Sequence, residues 1–524
     1  GRADARKVSG GEGMILFPKH APHVKSAPRM LSPVFRHAML LCLGTVLARA
    51  EVPFGIHVVD EHSGRGVPLV TLRTTNHISH TTDSAGWIAF DEPGLMEREV
   101  HFTVSSPGYA VAKDGFGIAG VRLTPKQGEK AEVKIMRTSI AERLYRITGQ
   151  GLYRDSTLLG IEAPLPRPNL FADVMGQDSV QVAEWKGRLL WLWGDTQRPN
   201  YPLGNFHTTC AWSDLPEKGG LDPKDGIHFE YLTDEAGAVR KMLPINEPGA
   251  VWLFGLLVCN DANGAEHLVA HYSRWKDLGK RLEHGIAEFD EEEQRFRRVA
   301  LLGEEFAWQH PQNNTVRARG TGADGVERDY FYFATPFCVT RVPATYDDVQ
   351  NTSSYEAFAW SAEMKQHVWQ PSEPLTQEAE AALIKEGKLA KDKAYLQAKD
   401  ATSGQPVTLH GGSVHWNAHR QRWVMIAVQK DGKESHLGEV WYLEAKQIEG
   451  PWRKAVKVAS HPRYSFYNPS HHAFFDQQGG QYIYFEGTYA ETFSGNPVAT
   501  PRYDYNQLMY RLDLDDPQLK AAQE

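Results

Sequence analysis

Cysteine is scarce: 524 residues carry four. No pair is spaced as CxxC, which excludes a zinc ribbon and a disulfide scaffold. Cys42 falls in a leader-like segment, so Cys210, Cys259 and Cys338 remain, far apart in sequence. At most one disulfide is open to them, and three buried thiols are the expectation. A basic block is also missing, and the formal charge is -8. That argues against a nucleic-acid partner. No glycine-rich loop sits between a strand and a helix, so nothing points to a nucleotide, haem or flavin. Long apolar runs are few. "AMLLCLGTVL" follows Arg36-His37 and precedes the small-x-small triplet Ala48-Arg49-Ala50. It is too short to span a bilayer as a stable helix and reads as a secretory signal over residues 30–50. Residues 1–29 read as an unstructured upstream extension, and the mature chain as a secreted or periplasmic protein.

What is present is strand and turn. Residues 51–137 hold "VVDEHSGRGVP", "TTDSAGWIAF" and "SPGY", short alternating segments broken by Ser-Gly, Asp-Ser-Ala-Gly and Pro-Gly turns. Their order resembles the carboxypeptidase regulatory-like domain, a small prealbumin-like β-sandwich. The resemblance implies a spacer or docking module, with any catalysis elsewhere. Residues 138–160 read as a linker.

From 161 to 516 one pattern recurs: apolar strand, tight turn, apolar strand, variable loop, third strand. The copies begin at "DSVQVAEW", "AVWLFGLLVCN", "NNTVRAR", "GGSVHWN" and "HHAFFD", with "YEAFAWS" as the third strand of the third copy. Copies of roughly 60–70 residues predict an all-β fold, a five-bladed β-propeller behind the sandwich. The Ala/Glu/Lys-rich stretch 375–399 reads as a helical insertion between the third and fourth blades.

The pattern explains why so apolar a strand as "RLLWLWGDT" stops on a carboxylate. In a blade the start of the first strand, the end of the second and the start of the third share one face. Asp178, Asp195 and His207 therefore belong to one rim. The same rule adds Glu247, His271, Arg274, Glu283 and His284 from the second blade, and His310 and Asn313 from the third. It adds His410 and Glu439 from the fourth, and Asn468, His471, His472, Glu486, Asp504 and Asn506 from the fifth. Adjacent His471 and His472 should point to opposite faces of their strand. Trp193 and Tyr489 are aromatic enough to stack on a sugar ring.

"GQDSVQVAEWKGRLLWLWGDT" and "YNPSHHAFFDQQGGQYIYFEGTY" resemble the five-bladed propeller glycoside hydrolases (arabinanases, xylosidases, invertases) and allied secreted propellers. The resemblance implies hydrolysis of a polysaccharide or oligosaccharide, with an aspartate at the start of the first inner strand as nucleophile or base. Asp178 matches it. The family's proton donor is a glutamate on the third inner strand, but "WQHPQNNTV" has no carboxylate there. Glu283 and Glu486 are then the candidates, beside Asp195. A divalent ion such as calcium near a fifth-blade histidine is a further implication. Glycoside cleavage needs one protonated and one ionised carboxyl, which a crowded acidic rim can supply. Two alternatives compete: a lyase acting on a uronate polymer, and a non-catalytic carbohydrate-binding propeller. No membrane-spanning segment is expected in the mature chain, and the sequence leaves the oligomeric state open.

Overall fold

The computed structural model describes residues 52–202, 207–309, 314–496 and 498–523. The upstream extension, the leader, His310 and Asn313 lie outside the described residues. The fold is all-β. Among the described residues the longest α-helix, Gln377–Lys385, has nine residues, and no described helix is long and apolar enough to cross a membrane.

Residues 54–137 form two four-stranded sheets. Val100–Ser105 shows why: Val100, Phe102 and Val104 point inward while His101, Thr103 and Ser105 alternate outward. These residues meet Ile56, Val58, Ile88, Phe90, Val133 and Ile135 of the other sheet in one core.

Five sheets of four or five strands follow, antiparallel except where Lys399–Asp400 lies parallel to Lys454–Ser460. Their first strands are Gln181–Trp185, Ala250–Asn260, Asn314–Thr321, Leu409–Asn417 and Ser465–His471. Hydrogen bonds pass from each first strand to the next. Leu256 N donates to Gln181 Oε1 at 3.2 Å, and Thr315 Oγ1 to the Leu256 carbonyl at 2.6 Å. Asn314 Nδ2 donates to the Gly412 carbonyl at 3.3 Å, and His471 N to Ser413 Oγ at 2.7 Å. Asn468 Nδ2 then donates to Ser179 Oγ at 2.8 Å, which joins the fifth sheet back to the first and closes a ring. Side chains on both faces of each sheet meet a neighbouring sheet. Arg188–Trp193 is accordingly buried from Leu189 onward, with Trp191 and Trp193 stacked 6.2 Å apart.

Several boundaries differ from expectation. Residues 138–160 are more than a linker: Glu142–Arg146 is a fully buried strand that pairs with Asn506–Asp513 as the outer strand of the fifth sheet. That sheet starts at Ser465, upstream of "HHAFFD", where Ala473–Phe475 is a 3-10 turn. The third strand of the third sheet is Cys338–Pro343, and Glu356–Ser361 is its fourth. The 375–399 insertion is α-helical only over Gln377–Lys385, with a 3-10 turn at Lys391–Lys393. Beyond it, the Glu380 carboxylate accepts from the Tyr395 and Leu396 amides and folds the chain back. Cys210, Cys259 and Cys338 are buried free thiols.

Candidate active site

The short strands Gly176–Gln177 and Thr196–Gln197 pair antiparallel, with Gln177 opposite Thr196. One step further along this ladder Asp178 faces Asp195, so the two carboxyls are cross-strand neighbours. Gly194 makes the approach sterically feasible. A Cβ at that position would stand 2.3 Å from Asp178 Oδ1.

Asp178 is held by three donors. Its Oδ1 accepts from Asp195 N at 2.8 Å, its Oδ2 from the Tyr467 hydroxyl at 3.0 Å, and the Tyr505 hydroxyl is also within reach. Asp195 Oδ1 accepts from Trp252 Nε1 at 2.7 Å, and Tyr505 reaches this carboxyl too. A cavity of about 370 Å³ opens over the pair. Trp252 and Phe254 of the second sheet, His410 of the fourth, Tyr467 and Asn468 of the fifth, and Phe493 of the 491–505 loop line it. Ser179 and Asn468, whose side chains bond each other, both adopt left-handed backbone, at φ 51° and 50°. Strain of this kind persists only where the surroundings enforce it.

The electrostatics divide the pair. Burial pushes Asp195 up to about 7; the Asp178 charge adds to this, while the Trp252 and Tyr505 hydrogen bonds oppose it. Burial also raises Asp178, but donors from the Asp195 amide, Tyr505 and Tyr467 favour its ionised form. The better hydrogen-bonded negative charge is on Asp178, and below about 7 the proton resides on Asp195.

Of the other expected rim residues, His410 and Asn468 reach the cavity. His207 is close by: its Nδ1 accepts from Val251 N at 3.2 Å, one residue from Trp252, and burial lowers it to about 4. The remaining described ones do not converge. Glu283 accepts from Arg274 at 2.7 Å, Arg298 at 2.9 Å and Tyr272 at 3.1 Å. Burial opposes its ionisation, but the bonds from Arg274 and Tyr272 prevail and hold it below the usual glutamate value. It is a structural anion, unsuited to donate a proton. Arg274 also donates to the Pro248 carbonyl, and Glu247 stands 3.9 Å from Arg298. His271 is buried between the second and third sheets, bonded to the Tyr355 hydroxyl at 3.0 Å.

Glu486 is fully buried inside the fifth sheet, 2.6 Å from His472 Nε2, and burial pushes its carboxyl well above the usual glutamate value. His471 bonds Asp476 at 2.8 Å. Tyr489 bonds Thr500 at 3.1 Å and stacks on Tyr464. Asp504 accepts from Glu491 N at 2.6 Å at the base of the 491–505 loop. Trp193 is core. The rim rule groups Asp178, Asp195, His410 and Asn468, which line one cavity, but takes no account of distance from the ring's axis. Starts of third strands lie one or two strands further out than starts of first strands.

Trp252, Tyr467 and Tyr505 were not singled out from the sequence. The signal was adjacency: Tyr467 precedes Asn468, and Tyr505 lies between Asp504 and Asn506. Among the described residues no group of three or more His, Cys, Asp or Glu side chains could hold a metal ion.

No family model and no curated protein matches the sequence. Among solved structures the chain is similar to the exo-β-1,3-galactanase of Phanerochaete chrysosporium, with 8% identity and a TM-score of 0.35, over 71% of this chain and 65% of that one. It is also similar to a putative exo-β-1,3-galactanase of Bifidobacterium bifidum s17, with 10% identity and a TM-score of 0.33, over 72% and 94% of the two chains. The α-L-arabinanase of Cellvibrio cellulosa, solved with arabinohexaose, has 11% identity and a TM-score of 0.32, over 65% and 92%. The chain thus spans about two thirds of the length of the Phanerochaete chrysosporium galactanase.

Proposed function

We propose that the protein is a glycoside hydrolase whose reaction runs on Asp178 and Asp195. The single observation that carries this reading is the cross-strand carboxyl pair at the floor of an aromatic-walled cavity, one member lifted to about 7. Asp195 would protonate the leaving oxygen of a glycosidic bond, and Asp178 would act as nucleophile or base. Trp252, Phe254 and Phe493 offer apolar faces to sugar rings, and His410 and Asn468 offer polar contacts to hydroxyls. The described lining residues include no arginine or lysine to neutralise a uronate, which favours hydrolysis over elimination.

In this reading the five sheets are the blades of a propeller, and residues 51–137 are a carboxypeptidase regulatory-like sandwich. The mature protein is secreted or periplasmic after removal of residues 30–50 and acts on a polysaccharide or oligosaccharide. The experiment is incubation of the purified protein with a panel of plant, algal and microbial polysaccharides, followed by product analysis. New saturated reducing ends are expected. Ultraviolet-absorbing unsaturated ends would establish the lyase instead. Saturable binding without products, across the panel, would establish a binding protein.

A further inference from the structure

The N-terminal pair of sheets meets the ring at several points, among them the Arg143 guanidinium, which donates to the Pro68 and Pro107 carbonyls, and the segment Arg502 to Asn506, which carries Tyr505. Tyr503 is the anchor. Its side chain is 2% exposed. Its hydroxyl donates to the Thr82 carbonyl at 2.7 Å and accepts from Leu69 N at 3.0 Å, both in the N-terminal sheets. The Arg146 guanidinium lies 5.1 Å from the Tyr503 ring centroid and donates to the Arg502 carbonyl. Arg146 is in turn tied to the N-terminal half, its backbone N donating to Ser84 Oγ at 3.3 Å.

Two residues beyond Tyr503, the Tyr505 hydroxyl meets both aspartates. The backbone between is constrained on each side. Arg502 and Tyr505 both sit in left-handed backbone, at φ 63° and 59°. Gly176 allows the segment to lie against the strand leading to Asp178, since a Cβ there would stand 2.5 Å from the Tyr505 carbonyl oxygen. Asn506 Nδ2 bonds the Met175 carbonyl at 3.3 Å. A non-glycine residue in the left-handed region is strained and needs external contacts to persist. At Tyr505 those contacts come from the strand before Asp178 on one side and, through Tyr503, from the N-terminal sheets on the other.

We infer that Tyr503 is a positioning residue: clamped by the N-terminal sheets, it fixes the Tyr505 hydroxyl between Asp178 and Asp195, so those sheets are part of the active-site apparatus. This rests on the carboxyl pair being the reactive one, yet it concerns a property of the pair that can be read without any substrate.

The test is a titration of the full chain labelled with carboxyl-13C aspartate, followed by NMR, with Asp178→Asn and Asp195→Asn used for assignment. In the wild type the upper midpoint is expected near 7. The Tyr505 bond favours the ionised carboxyl, so Tyr505→Phe should move that midpoint upward. Tyr503→Phe should move it in the same direction. Combining the two changes should add nothing beyond Tyr505→Phe alone, the non-additivity expected when one residue acts through the other. Arg146→Lys, which loses the bond to the Arg502 carbonyl, is a second route to the same shift. Wild-type titration in both Tyr503→Phe and Arg146→Lys would overturn the inference, even if both melt earlier, and would leave Tyr503 as a docking contact only. Additive shifts in the double variant would overturn it as well. Absence of turnover on every glycan would defeat the hydrolase reading but leave these titrations interpretable.

Discussion

Asp195→Asn should stabilise the protein at alkaline pH. The carboxyl has an ordinary value of 3.8 and stands at about 7 in the fold, chiefly because it is buried and secondarily because Asp178 is beside it. At 7% exposure little solvent screening relieves this. The folded value is raised, so the folded state holds an extra proton between those limits. The stability tied to that proton is complete below 3.8 and is lost as pH rises through 7. A displacement of about three pH units at about 1.4 kcal/mol each amounts to about 4 kcal/mol. Asparagine does not titrate, and its amide oxygen can still accept from Trp252 Nε1. The difference in unfolding free energy between variant and wild type should therefore widen by about 4 kcal/mol, in the variant's favour, from pH 4 to pH 8. Urea unfolding at pH 4, 6 and 8 and constant ionic strength reads this difference directly, and effects of the substitution that do not depend on pH cancel. A difference that stays constant with pH, or widens in the wild type's favour, would refute the placement of a buried protonated carboxyl at Asp195. A reactive group held at the expense of stability is the usual cost of an active site.

Gly194→Ala should abolish turnover while the fold survives, because the new Cβ would collide with Asp178 Oδ1 at 2.3 Å; kinetics beside a melting curve would show it, and normal turnover would mean the carboxyl is not where it is described. Glu486→Gln should keep activity and folding, since glutamine mimics a protonated glutamate and can donate to His472 in its place; a large loss of kcat with an intact fold would restore Glu486 as a catalytic acid. Glu283→Gln should leave kcat unchanged but cost about 1–3 kcal/mol of stability by stranding Arg274, as measured by denaturant midpoint.

The sequence makes the strand pattern legible where both faces of a strand are buried. "RLLWLW" and "AVWLFGLLVCN" could be nothing but interior strands, and the Lys186-Gly187 and Asn263-Gly264 turns delimit them. Asp178 and Asp195 were legible because each ends such a run. Glu486 stood out for the same reason: it interrupts "YIYFEGTY", but as a buried group bonded through Oε1 to His472 and absent from the cavity lining. Glu283 ends no apolar run, and its partners Arg274 and Arg298 lie nine and fifteen residues away, a pairing set by strand register. The strand Glu142–Arg146 was hidden because it pairs with residues more than three hundred positions later. Tyr505 was hidden because its role depends on a left-handed turn that its own sequence does not announce.

The most direct test is turnover by Asp178→Asn and Asp195→Asn, each measured on whichever glycan the wild type cleaves, with melting temperature as the control. Both variants should fold, and both should lose activity by several orders of magnitude, because each carboxyl acts in the transition state. Near-wild-type turnover in either folded variant would contradict the assignment of the reaction to this pair.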